Sequence, residues 1–179
     1  MSLHTLSTET IERGGPPRDG TGTPVLRAPR LDDAAAIWRI AKDSRVLDTN
    51  SSYAYLLWCR DFADTTVVAE VDGSVVGFVI GYLRPQAPHT LFVWQVAVSH
   101  AARGRGIGTA MIEWLLDALP ASTLETTVSP DNAASIAMFD AVARHRGARM
   151  TKHPLFDPAV FPDEHAAEDL YRIAPIAQK

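Results

Sequence analysis

Cysteine, basic charge and long apolar runs are all scarce in this sequence, and each shortage excludes a class of protein. The single cysteine, Cys59, excludes an internal disulfide framework and favours a reducing, cytoplasmic environment. The longest apolar run, residues 75–83, is far shorter than the about 20 residues that cross a bilayer, so we expect no membrane span. A formal charge of −4 lacks the basic excess that phosphate backbones require, so we expect no nucleic-acid partner.

The composition that remains is typical of one globular domain. With 179 residues and 46% hydrophobic content, the chain is long enough to bury a full core. Residues 1–22 are rich in Ser, Thr, Gly, Pro and Arg without an apolar period, which predicts a flexible N-terminal tail. Residues 23–179 are then the single domain.

Apolar periodicity predicts the order of elements within this domain. A short strand and two helices come first, and Asp72-Gly73 joins the next two strands as a tight hairpin. A loop over residues 84–89, a strand, a helix, a strand, a helix and two closing strands follow. The closing strands flank a long loop, residues 156–167, of a length that is more often functional than idle. This order predicts an α+β fold with a mixed, mostly antiparallel central sheet flanked by helices.

The most informative stretch is VAVSHAARGRGIGTAMI, residues 96–112, in which glycines and arginines stand between a strand and a helix. A helix N-terminus presents unsatisfied amides and partial positive charge, which together favour a bound phosphate. Glycines let a phosphate approach, and we expect a side chain at Gly106 or Gly108 to block it. Thr109 stands where a dinucleotide fingerprint needs its third glycine, and a P-loop Gly-Lys-Ser/Thr is absent. A plain glycine-rich turn is the alternative interpretation.

This stretch resembles the pyrophosphate-binding motif of the GNAT N-acetyltransferases, R-x-x-G-x-G after a strand, and the order of elements is similar to that fold. The resemblance implies acetyl-CoA as co-substrate. Backbone amides of the motif would surround the pyrophosphate, Val96 and Val98 would bind the pantetheine arm through their main chain, and Asn132 would lie near the cofactor. The implied cofactor-binding residues are Val96, Val98, Arg103, Arg105, Gly106, Ile107, Gly108, Thr109 and Asn132.

Longer stretches resemble a narrower GNAT family, the diaminobutyrate acetyltransferases of ectoine biosynthesis. They are LDTNSSYAYLLWCRDF, TTVVAEVDGSVVGFVIGY, LFVWQVAV, TVSPDNAAS and FPDEHAAEDLYRI. The resemblance implies direct acetyl transfer from acetyl-CoA to the N4 amine of L-2,4-diaminobutyrate, and a homodimer. Two alternatives stay open: a GNAT enzyme for another small diamine or a peptide N-terminus, and a non-catalytic CoA-binding sensor.

An acceptor with two ammonium groups and one carboxylate requires carboxylate side chains and a hydrogen-bond donor in its pocket. Asp48 is the first candidate for both binding and catalysis, with a helix cap as the alternative role. Trp94 is a candidate pocket wall or an ordinary core aromatic. The predicted acceptor-binding residues are Asp48, Thr49, Asn50, Tyr53, Trp94, Glu125, His165 and Glu168.

The reaction needs a proton acceptor, because an alkyl ammonium with a pKa of about 10 is almost entirely protonated at neutral pH. Glu125 matches the glutamate that serves as base in some GNAT enzymes. An ammonium ligand and a solvated strand residue are its alternative roles. His165 and Glu168 are further candidates, and for His165 an ordinary surface histidine is the alternative.

The remaining catalytic functions are predicted from the family resemblance. We expect the backbone N–H of Val96 to stabilise the tetrahedral oxyanion. Phe139 stands where many GNAT enzymes carry a tyrosine that protonates the departing CoA thiolate. Water or Tyr53 could then provide the proton, or the thiolate could leave without an acid. Cys59 lies on an apolar helix face, so we expect a structural cysteine, and we expect no metal site.

Overall fold

A computed structural model describes residues 22–177, so the predicted tail, apart from Gly22, lies outside the described residues. One strand and two helices come first, and three consecutive strands follow. Two further helices, separated by one strand, then precede the last two strands. The elements are β1 (Val25–Arg27), α1 (Ala34–Ser44), α2 (Ser52–Asp61), β2 (Thr66–Val71), β3 (Ser74–Arg84), β4 (Ala87–Val98), α3 (Ile107–Ala118), β5 (Thr123–Val128), α4 (Ala133–His145), β6 (Arg149–Phe156) and β7 (Glu168–Ala174).

The described strands form one mixed sheet in the order β1-β2-β3-β4-β5-β7-β6. Strands β4 and β5 pair in parallel, whereas the other neighbouring pairs are antiparallel. Consecutive side chains of a strand point to opposite faces, so Phe78 packs beneath α1 and α2 while Val79 packs beneath α3 and α4. The predicted α+β fold, a mostly antiparallel sheet flanked by helices, is confirmed.

The β2–β3 hairpin follows the prediction, but the loop predicted over residues 84–89 is wrong. Asp72 and Gly73 both have positive φ angles, 50° and 77°, as a tight hairpin turn requires. Within the predicted loop, Arg84 pairs with Ala87, so β3 and β4 form a continuous hairpin whose turn is only two residues long. The polar and proline residues of this stretch predicted a loop. Pro88 instead lies in an irregular section of β4, where a missing N–H is tolerated.

The parallel strands β4 and β5 separate part-way along their length. Their ladder ends at the pair Val93 and Thr126, although both strands continue. A bulge coincides with this point, because Gly81 pairs with Val93 and Ile80 with Gln95, so that Trp94 has no opposite residue. The separation opens a cleft in the middle of the sheet.

Candidate active site

A cavity of about 330 Å³ lies where β4 and β5 separate. The loop between α1 and α2 lines it, as do the first turns of α4 and the segment between β6 and β7. These contribute Leu47, Asp48 and Asn50, then Asn132, Ser135 and Phe139, then Phe161 and His165. Because α1 and α2 cover one face of the sheet and α4 the other, the cavity joins the two faces. Two reactants bound on opposite faces could meet there.

The glycine–arginine turn ends at the first residue of α3. Gly104 and Gly106 both adopt left-handed backbone, with φ of 75° and 72°, and Gly106 is the N-cap. The first amide that bonds back into the helix is that of Ala110, 3.0 Å from the carbonyl oxygen of Gly106. The amides of residues 107–109 therefore face outward at the positive end of the helix, an arrangement suited to a diphosphate.

Contacts within the protein give a further reason why glycine occupies positions 106 and 108. A Cβ at Gly106 would meet no atom of the described residues within 4 Å, so its left-handed φ is what requires glycine. A Cβ at Gly108 would lie 2.6 Å from the Sδ atom of Met138 on α4. Gly108 thus permits close packing of α3 against α4.

Other residues predicted to bind the cofactor have contacts within the protein. The Nε of Arg103 donates to the carbonyl oxygen of Val98 at 3.1 Å, which ties the turn to the end of β4. The Oδ1 of Asn132 accepts from the amide of Ser135 at 3.1 Å, so Asn132 is the N-cap of α4. Asn132 and Val96 also line the cavity.

The predicted acceptor residues divide into two groups. Five of them line the cavity: Asp48, Asn50, Trp94, His165 and Glu168. Thr49, Tyr53 and Glu125 do not, and the side chain of Tyr53 is 66% exposed. The alternative roles of Asp48 and Trp94 are wrong, because Ser51 is the N-cap of α2 and Trp94 is 37% exposed at the cavity, its ring 5.0 Å from that of Trp58.

His165 connects the segment between β6 and β7 to the loop between α1 and α2. Its Nε2 lies 3.2 Å from Oδ2 of Asp48, and its Nδ1 lies 2.7 Å from the carbonyl oxygen of Ala166. The ring stacks on Phe161, with centroids 4.1 Å apart. The Ala166 carbonyl, followed by the Asp48 carboxylate, raises the pKa of His165 above its usual 6.5. Because both ring nitrogens face acceptors, the geometry favours the doubly protonated imidazolium.

Glu168 begins β7 and brings a second carboxylate to the cavity. Its Oε1 accepts a hydrogen bond of 3.0 Å from the hydroxyl of Ser129, which lies just after β5 and also lines the cavity. No lysine or arginine is present among the described residues that line the cavity. Its ionisable side chains are therefore those of Asp48, Glu168 and His165.

Glu125 lies outside the cavity in an ion-pair cluster. Its Oε2 accepts from Arg84 at 2.6 Å, and its Oε1 lies 3.6 Å from the Nε of Arg172. Glu125 is only 7% exposed, so the interpretation of a solvated strand residue is wrong. The two partly exposed arginines balance the charge of the buried Glu125 carboxylate.

Two buried side chains, Cys59 and Gln95, have different roles. Cys59 is a buried residue of α2 that packs in the same cluster as α1, and burial raises the pKa of its thiol to about 11, as expected for a structural cysteine. Gln95 lines the cavity and was missed, although a lone glutamine inside the apolar run LFVWQVAV is a usable signal. The described residues contain no metal-binding cluster, and within residues 22–177 no helix has the length and hydrophobicity to span a membrane.

A mixed sheet split between two parallel strands, with a glycine turn at a helix start beside the split, defines the class of acyl-CoA-dependent N-acyltransferases. Residues 32–143 match the Acetyltransferase (GNAT) family, and the chain belongs to this family. The predicted class of activity, an acetyl-CoA-dependent N-acetyltransferase, is confirmed.

Three similar proteins carry the name of one activity within this family. The chain is 70% identical to the L-2,4-diaminobutyric acid acetyltransferase of Nocardia farcinica, and the match covers 100% of this chain and 99% of that protein. It is 54% identical to the enzyme of the same name from Streptomyces coelicolor, over 83% of this chain and 91% of that protein. The structure matches diaminobutyrate acetyltransferase EctA from Paenibacillus lautus in complex with L-2,4-diaminobutyric acid and coenzyme A, with a TM-score of 0.83 and 36% identity, covering 88% of this chain and 98% of that one.

Proposed function

We propose that the chain transfers an acetyl group from acetyl-CoA to the N4 amine of L-2,4-diaminobutyrate, giving N4-acetyl-2,4-diaminobutyrate for ectoine synthesis. The observation that carries this proposal is the set of charges in the cavity. Asp48 and Glu168 provide two carboxylates and His165 an imidazole whose pKa is raised, whereas the acceptor provides two ammonium groups and one carboxylate. The names of the relatives in Nocardia, Streptomyces and Paenibacillus support the same acceptor.

The residues around α3 fit acetyl-CoA. The amides of residues 107–109 and the left-handed turn at Gly104 and Gly106 form an anion site suited to its pyrophosphate. When bound, acetyl-CoA supplies an acetyl thioester. Val96 and Asn132 line the cavity between that turn and the acceptor side, which agrees with their proposed contacts to the cofactor arm.

We assign removal of the amine proton to Glu168 rather than to Glu125. Glu168 lines the cavity, and the hydrogen bond from Ser129 orients its carboxylate. Glu125 is instead ion-paired with Arg84 and Arg172 and does not line the cavity. A proton acceptor must lie within hydrogen-bond reach of the amine, directly or through one water, and only a cavity residue meets this condition.

The departing thiolate has no tyrosine beside it at the position where many relatives of the family carry one. Phe139 is 1% exposed and presents only its ring to the cavity. Tyr53, the other candidate acid, is exposed outside the cavity. We therefore propose that water protonates the thiolate or that it leaves unaided, while the Val96 amide stabilises the oxyanion.

We also propose a cytoplasmic homodimer. Acetyl-CoA is a metabolite of the cell interior, and the buried Cys59 is a free thiol. Leu155, Phe156 and Val160 are 44%, 46% and 67% exposed at one end of the edge strand β6, and exposed apolar patches often mark contact surfaces. Light scattering coupled to gel filtration would measure the oligomeric state.

The experiment that tests the function is release of CoA from acetyl-CoA with diaminobutyrate, ornithine, lysine and a short peptide as parallel acceptors. NMR would identify the acetylated nitrogen. Turnover confined to N4 of diaminobutyrate is the expected result. Preference for another amine would favour a different GNAT acceptor, and binding of CoA without turnover on any amine would favour the sensor.

Asp48→Ala provides a second test of the acceptor site. We expect most of the turnover to be lost while acetyl-CoA still binds, because Asp48 lies on the acceptor side of the cavity. Asp43→Ala, at the exposed end of α1, is a control that removes a carboxylate of the same kind outside the cavity. Unchanged turnover in Asp48→Ala would contradict the acceptor assignment.

A further inference from the structure

Gln95 is a buried amide within the apolar strand β4, only 4% exposed and at the wall of the cavity. Its Nε2 donates to the carbonyl oxygen of Asp48 at 2.9 Å, and its Oε1 accepts from the hydroxyl of Tyr55 at 3.1 Å. A carbonyl oxygen can only accept, so the contact with Asp48 determines which end of the amide is which. The Tyr55 hydroxyl must then donate, and the two contacts together hold Gln95 in one orientation.

These contacts connect the core to the acceptor side of the cavity. Tyr55 is completely buried on α2, which gives Gln95 a rigid support. On the side of Gln95 away from Tyr55, the amide bonds to the backbone of Asp48. The Asp48 carboxylate, 87% exposed, in turn contacts His165. The backbone of an otherwise exposed loop is thereby bonded to the strand beside the separation point of the sheet. The bulge at Trp94, one residue before Gln95, is part of the same arrangement.

We propose that Gln95, oriented by Tyr55, is a positioning residue that sets how far Asp48 lies from the separation point of β4 and β5, and so selects the length of the acceptor. The inference rests on the proposed function. Diaminobutyrate and ornithine differ by one methylene between the α-carbon and the reacting amine. A carboxylate held at a constant distance from the point of transfer accommodates one of these lengths better than the other.

The test compares Gln95→Leu and Tyr55→Phe with the unmodified protein on diaminobutyrate and ornithine. Gln95→Leu keeps the side-chain volume but removes both hydrogen bonds, so we expect KM for diaminobutyrate to rise about tenfold and the kcat/KM preference over ornithine to fall by a similar factor. Tyr55→Phe keeps the bond to Asp48 and is expected to have a smaller effect in the same direction. The Kd of acetyl-CoA, measured by calorimetry, should stay unchanged in both.

Thr66→Val is the matched control. The hydroxyl of Thr66 is buried in β2, which β3 separates from β4, and among the described residues it has no hydrogen-bond partner. Its removal should change neither KM nor the preference between the two acceptors. Should Gln95→Leu fail to fold by circular dichroism, Gln95→Met replaces it, since an unbranched thioether side chain adapts to the same space but cannot donate to the Asp48 carbonyl.

The two possible failures are distinguishable. A Gln95 variant with lower thermal stability but the original KM and acceptor preference would overturn the inference, because a purely structural residue changes only the folded fraction. A different preferred amine in the unmodified protein would instead reject the proposed acceptor. The same variants would then be assayed with that amine and its one-methylene homologue, where a lost length preference supports the role of Gln95 and a retained one overturns it.

Discussion

His165 and Asp48 are 117 positions apart in the sequence, and their side chains meet at 3.2 Å across the opening of the cavity. The contact joins the segment between β6 and β7 to the loop between α1 and α2. Because Nδ1 of His165 faces the Ala166 carbonyl at 2.7 Å, both nitrogens donate when the ring is charged. The contact between these two segments is therefore strongest when this one histidine is protonated.

The first prediction concerns the titration of this histidine. We expect NMR of the imidazole protons to give a pKa above 6.5 in the folded protein, since the Ala166 carbonyl and the Asp48 carboxylate both stabilise the charged ring. Asp48→Asn removes the negative charge and should bring the pKa down. His153, on the exposed edge strand β6, is a control histidine in the same spectra. Identical His165 titration curves in the two proteins would contradict the contact.

A second prediction follows for stability as a function of pH. A pKa raised in the folded state stabilises the fold fully at pH values below the unfolded pKa of 6.5, and this contribution disappears as pH rises through the folded pKa. His165→Gln should therefore reduce the free energy of unfolding at low pH more than at high pH. Urea denaturation at several pH values would measure the difference, and a difference independent of pH would argue against a charged His165.

A third prediction distinguishes the two glycines of the turn. Gly106→Ala should cost about 1–2 kcal/mol of stability, because a residue with a Cβ is strained in left-handed backbone. Gly108→Ala should be destabilising only while Met138 is present, since the added Cβ would lie 2.6 Å from its Sδ. In a Met138→Ala background the same change should become neutral or slightly stabilising. A double-mutant cycle followed by chemical denaturation measures this coupling, and equal losses in both backgrounds would contradict it.

A fourth prediction separates the two glutamates. Glu168→Gln should abolish most turnover with little loss of stability, because its carboxylate lines the cavity. Glu125→Gln should instead cost about 1–2 kcal/mol of stability and retain turnover, because it weakens the pairs with the half-exposed Arg84 and Arg172. Parallel measurement of kcat and of unfolding free energy checks both, and loss of kcat in Glu125→Gln alone would restore Glu125 as the base.

The sequence alone determined those local structures that depend on a few neighbouring residues. The Asp72-Gly73 turn, the Asn132 cap and the glycine turn before α3 each depend on backbone preferences within a handful of positions. Hydrophobic period identified the helices and most strands, and so the class of fold. The motif of the turn also identified the family, because the chemistry of binding a diphosphate restricts the residues allowed at a helix start.

Contacts between distant positions were decided by the tertiary structure alone. The sequence favoured Glu125 as the base, with Glu168 as a further candidate. The register of β5 against its neighbours places Glu125 against two arginines and Glu168 in the cavity. The role of Gly108 depended on where α4 packs, and the bond from Gln95 to Asp48 spans 47 positions. Such contacts result from the packing of whole elements against a common core, so no short stretch of the chain encodes them.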